Sequence, residues 1–109
     1  MSSAPAPSAA IAEIQFEQGW NLTPAGTANP LRYWSHVHFE GDAKWGQELW
    51  TLFVDLDNPP KEDQRVYLAR VFFLAPTAPT HFLRNGQRFE LCVGPMVKAR
   101  GIVKEASQV

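Results

Sequence analysis

A single cysteine, Cys92, among 109 residues excludes an intramolecular disulfide and any zinc site built on several thiolates. It lies in the apolar run Phe89–Val93 and reads as an inert strand cysteine, since no sequence neighbour would lower a thiol pKa. An excess of one charge is also missing. Ten Lys and Arg stand against eleven Asp and Glu, a net charge of −1, which gives no long-range pull toward nucleic acid or anionic lipid. No apolar run approaches the ~20 residues of a membrane span. There is no Gly-x-x-x-x-Gly-Lys-Ser/Thr phosphate loop, no internal repeat, and no segment that holds a helical period. The stretch Met1–Ala10 is Ser, Ala and Pro without Lys or Arg, and Pro5 and Pro7 break any apolar run in it. It reads as a disordered leader rather than a secretory signal, and the chain is expected in the cytoplasm.

Hydrophobic residues make up 45% of the chain and aromatics 12%, enough for one core and one domain, expected over residues 11–105 with a tail at 106–109. The pattern along that domain is period two, the signature of half-buried strands. Ile14 and Phe16 oppose Glu13, Gln15 and Glu17 in a first strand from Ile11. A Gly- and Pro-rich stretch over 18–30 follows, tacked down by Trp20 and Leu22. In the second strand, Leu31–Glu40, the core side carries Leu31, Tyr33, Val37 and Phe39, and the outer side Arg32, Trp34, His36, His38 and Glu40. A third strand over Gly46–Asp57 sends Trp50, Leu52, Val54 and Leu56 inward and leaves Leu49, Thr51, Phe53 and Asp55 outside. It ends at a turn with Pro59 and Pro60, which cannot donate to a ladder. The fourth, Arg65–Ala75, is apolar on both sides, which points to cover on both faces or to a partner, a second copy of the chain included. After the Asn85-Gly86 turn a hairpin places Phe89, Leu91 and Val93, then Val97, Ala99 and Val103, inward, with Lys98, Arg100 and Lys104 outward. Six short strands separated by Gly/Pro turns predict an all-β fold, closed as a small antiparallel six-stranded β-barrel so that no edge is exposed.

The stretch Leu83–Val103 carries a turn glycine (Gly86), Phe89 and Leu91 two apart, Gly94 at the next turn, then small residues and Gly101 followed by Val103. It resembles the final hairpin of the C-terminal β-barrel domain of elongation factor Tu. Val71–Pro76 suits the preceding strand of that domain, and Ala12–Phe16 its opening. The resemblance implies a stand-alone bacterial copy of an accessory barrel, which in the elongation factor contacts tRNA and protein partners and leaves nucleotide chemistry to another domain. No contact residue is carried over from it.

His36-x-His38-x-Glu40 is the sharpest local constellation. Alternate residues of a strand share one face, so two imidazoles and a carboxylate beside Trp34 make a candidate divalent-metal site, against the plainer reading of a solvated strand face. His81 stands between strands as a remote third imidazole. Ser35 and His36 are adjacent and so face opposite ways, which removes a Ser-His-acid set with Asp55. Asp55 and Asp57 read as a strand end turning polar. Among Arg84, Arg88, Lys98, Arg100 and Lys104, the outward Lys98, Arg100 and Lys104 form a candidate phosphate stripe for RNA, diluted by Glu90 and Glu105. Of the four tryptophans, Trp34 faces outward, and Trp20 and Trp45 lie in or beside loops, as barrel plugs or contact residues. The leading expectation is a non-catalytic binding module acting through protein contacts, with Trp34, His36, His38, Lys98 and Arg100 as its surface and no cofactor. A metal protein using His36, His38 and Glu40, and an RNA-binding module, are the alternatives.

Overall fold

The computed structural model describes residues 9–44, 47–75 and 77–107. Its regular elements are seven strands, β1 (Ala9–Phe16), β2 (Thr23–Pro24), β3 (Arg32–Phe39), β4 (Trp50–Asp55), β5 (Val66–Phe72), β6 (Arg88–Val93) and β7 (Met96–Ser107), with one 3-10 turn at Thr80–Phe82. The order β3-β4-β5-β1-β7-β6 is antiparallel throughout, and β6 pairs back onto β3, closing a six-stranded barrel. The expected fold class is therefore the observed one. β1 begins two residues before the expected Ile11, with Ala9 and Ala10 both buried, and β7 runs past 105 to Ser107. The third strand is shorter than expected, starting at Trp50, and Trp45 and Gly46 lie outside the described residues.

β3 is covered on one side by β4 along Arg32–Val37, but its other side is shared. β6 takes His36–Phe39, and the two-residue β2 takes Tyr33 and Trp34. Ser35, fully buried, donates its hydroxyl to the Cys92 carbonyl at 3.0 Å where the β6 ladder stops. The Gly- and Pro-rich stretch thus does one structural job, covering an edge that would otherwise be exposed.

Inward positions alternate as the period-two pattern requires. Ile14, Phe16, Val37, Leu52, Val54, Val71, Leu91 and Val103 are essentially inaccessible. Aromatic clusters fill both ends of the barrel. At one end Trp20 packs against Phe16, Tyr33 and Tyr67, with centroids 4.7–5.0 Å away. At the other, Phe39 stacks on Phe82 at 4.7 Å and meets Phe73 and Phe89. Trp20 is therefore a plug, held in place by tilted and edge-on ring contacts although its indole N–H has no hydrogen-bond partner among the described residues. The Tyr67 hydroxyl donates to the carbonyls of Lys61 and Gln64, each at 3.0 Å, and anchors the proline turn to the same end.

The C-terminal hairpin departs from simple alternation. Val93 pairs with Met96 across Gly94 and Pro95, with Gly94 at φ +57°, a conformation that suits glycine. Two β-bulges lie in β7. Leu91 faces Ala99 while Cys92 faces Val97, and Ala12 faces Val103 while Ile11 faces Glu105, so Lys98 and Lys104 are each the extra residue. Past the first bulge Val97 faces Cys92, and Val93 and Val97, expected inward, are 38% and 42% exposed.

Gly101 faces inward opposite Phe89, whose ring lies directly over it. A Cβ at position 101 would overlap the Phe89 ring at three atoms, and Phe89 is itself held against Phe39. Gly101→Ala is expected to destabilise the barrel by about 1–3 kcal/mol, as overpacking does. Phe89→Leu in the same chain should recover part of that loss. Urea denaturation of the two single variants and the double variant checks this, and strictly additive losses would contradict the contact.

Candidate contact surface on the outer barrel wall

The outer wall has two unlike halves, and strand register makes them so. Across β3, β4 and β5 the register lines up Trp34, Phe53 and Phe72 in one row and Arg32, Asp55 and Arg70 in the next. Each strand contributes a charged and an aromatic residue two apart, in the order Arg32-x-Trp34, Phe53-x-Asp55 and Arg70-x-Phe72. The order reverses in β4 because β4 runs antiparallel to both neighbours, so like meets like across the sheet.

The charged row is tightly built at one end. Arg32 donates from Nε to Asp55 Oδ1 at 2.8 Å and from Nη2 to Oδ2 at 2.9 Å, a two-pronged pair that uses both carboxylate oxygens. The hydrogen bond to Asp55 raises the Arg32 pKa against the opposing effect of desolvation. Arg70 approaches Asp55 Oδ2 at 3.8 Å, too far for a hydrogen bond. Both guanidinium groups lie over the Phe72 ring, 4.9 and 4.8 Å from its centroid. That cover leaves Phe72 only 8% exposed on the outside of a barrel. Phe53 stacks on Phe72 at 5.6 Å with 23° between planes, and Trp34 meets His36 edge-on at 5.8 Å. Trp34, His36 and Phe53 remain half-buried and reachable from solvent.

The other half, across β3, β6, β7 and β1, is a chain of close contacts among Glu, Arg and His side chains. Glu90 lies 3.5 Å from His38 and 3.4 Å from Arg100, and Arg100 lies 3.5 Å from Glu17. Such pairs are screened and contribute little to stability. An open recess of about 680 Å³ runs over them, lined among others by Glu13, His38, Glu40, Arg88, Arg100 and Lys104, so its charge is mixed.

His36, His38 and Glu40 do share the outer face of β3, as the alternation requires. His36 sits opposite Cys92 and turns toward Trp34, His38 pairs with Glu90, and Glu40 follows the strand end opposite Arg88. Among the described residues no group of three or more His, Cys, Asp or Glu side chains is placed to hold a metal ion. His81 lies in the 3-10 turn, packed on Phe82. Asp55 belongs to the arginine row, and Asp57 is an exposed residue of the proline turn. The stripe Lys98–Arg100–Lys104 is interrupted, because both lysines sit at bulges and Arg100 is engaged by two glutamates. What sequence reasoning missed is the row itself. The thrice-repeated charge-x-aromatic spacing was the signal available for it.

No protein-family model, curated protein or solved structure matches the chain. Among the described residues no helix is long and apolar enough to cross a membrane.

Cys92, 4% exposed beneath this wall, has its thiol pKa raised, first by burial and then by the charge of Glu90. Less thiolate is then present at pH 8 than for a free thiol. Iodoacetamide should alkylate the native protein at least about 100-fold more slowly than the urea-unfolded chain, since access requires opening. Comparable rates in the two states would contradict the burial.

Proposed function

We propose that the chain is a non-catalytic binding module acting through protein contacts, and that the β3–β4–β5 wall is its contact surface. One observation carries this reading: Trp34 and Phe53 stand half-exposed in register on a sheet whose strands are paired on both sides, flanked by guanidinium groups. Trp and Arg on rigid elements are the residue types that dominate binding energy at protein interfaces. The barrel interior is filled by its own side chains, so recognition on the outer wall is the economical reading. Ser35 is turned inward and Asp55 is held by Arg32, so neither joins His36 in a catalytic set. The resemblance of Leu83–Val103 to the last hairpin of the elongation factor Tu C-terminal barrel supports the same assignment, since that domain is an accessory binding unit. A lone thiol suits a reducing compartment such as the cytoplasm.

A photo-crosslinking amino acid placed at Phe53, with the same group at Glu13 as a control, tests the surface in cells producing the protein. Discrete protein adducts are expected from position 53 and not from position 13, and they should disappear when Trp34→Ala is added. Equal labelling from both positions would defeat the assignment.

A further inference from the structure

Resting on that contact surface, we infer that its partner segment is acidic: a peptide stretch that sets a carboxylate on Arg70 beside an apolar side chain. The row holds two guanidinium groups and one carboxylate, and both oxygens of that carboxylate are already bonded to Arg32. Arg70 is therefore the surplus charge. It is 51% exposed, and its only ion-pair neighbour among the described residues is Asp55, at 3.8 Å. No hydrogen bond from its guanidinium to a described residue is formed. Glu13 on β1, opposite Leu68, and Glu105 on β7, opposite Ile11, make no ion pair with it.

Away from Asp55, apolar side chains adjoin Arg70. Phe72 lies under its guanidinium, Leu68, two residues back on the same face, is 63% exposed, and Ile11 faces it from β1 at 37%. The contact with the Phe72 ring, 4.8 Å from Cζ to its centroid, restricts the guanidinium before anything binds, so less side-chain freedom is lost when a carboxylate arrives. A carboxylate seated there would be shielded by Leu68, Ile11 and Phe72, and the charge-assisted bonds gain strength as water leaves. Apolar residues flanking it in the same segment would lie on Leu68 and Ile11 at one end and on Phe53 and Trp34 at the other. A basic segment would meet the surplus cation of the row, and a neutral one would leave the Arg70 guanidinium desolvated with no hydrogen-bond acceptor.

The test is selection of a phage-displayed random dodecamer library on the full chain, followed by fluorescence anisotropy with the enriched peptides made synthetically. Enriched sequences should place Asp or Glu beside Trp, Phe, Leu or Ile. Arg70→Glu should weaken them by at least about tenfold. A peptide with its acid changed to Lys should bind Arg70→Glu better than the parent chain. Arg100→Glu, on the opposite wall, should leave affinity unchanged. Circular dichroism checks that each variant is folded, and Arg70→Gln serves as the milder replacement. Peptides that lose binding in Trp34→Ala but are indifferent to Arg70→Glu would overturn the acidic partner and leave the contact surface standing. Peptides indifferent to both substitutions would remove both. Oligodeoxythymidine binding that is lost in Arg70→Glu and displaces the peptides would overturn the inference in favour of a phosphate-bearing strand.

Discussion

The pairing of His36–Phe39 with Phe89–Cys92 is the constraint on which the other placements depend. Without it the strands form an open sheet with β3 and β6 as edges, and the fold loses its interior. With it, the inward set Val37 and Phe39 meets Phe89 and Leu91, and the outward set of β3 is locked in register against β4 on its other side. Closure also limits what the interior holds. Six strands leave a lumen that side chains alone can fill, and small inward residues (Ala10, Ala12, Ala69, Ala99 and Gly101) make room for the aromatic clusters at each end. Phe89 over Gly101 is the tightest instance, a ring accommodated by the absence of a side chain.

The bulges follow from the same closure. A strand passing between two neighbours in a small barrel has to coil, and an extra residue lets it bend without breaking both ladders at once. β7 takes one such residue against β6 and another against β1, and both are lysines. A lysine suits this place because its stem lies along the wall while its ammonium stays in water. Two residues of the basic stripe seen in the sequence are thus also the residues at which the strand curves.

How much of this was legible in the sequence depended on how local the cause was. The alternation in Leu31–Glu40 and in Ile14–Glu17 is a property of single strands half-covered by a core, so both faces could be assigned residue by residue, His36, His38 and Glu40 included. Val93 and Val97 were not assignable by that rule. A bulge is decided by how two strands meet, and nothing within Phe89–Val103 marks where the extra residue falls. The two-sided apolarity of β5 was visible, but its meaning was not: Phe72 points outward and is covered by Arg32, forty positions earlier, as well as by Arg70. The aromatic row likewise needs the register of three strands, although each strand announces its share through a charged residue two positions from an aromatic.

The division of the outer wall then has a physical logic that bears on function. A wall of interleaved Glu, Arg and His satisfies itself pair by pair, and any partner must displace those pairs before gaining contacts of its own. The aromatic wall presents the opposite balance. Its carboxylate is fully used by Arg32, its second guanidinium is not, and apolar surface stands beside the unused charge. Leaving Trp34, Phe53 and Leu68 accessible on a small domain invites self-association, and charged neighbours are how soluble sheets limit that hazard. Arg32 and Arg70 do this by lying over Phe72, so the groups that cover this apolar ring are also those that set the charge of the wall.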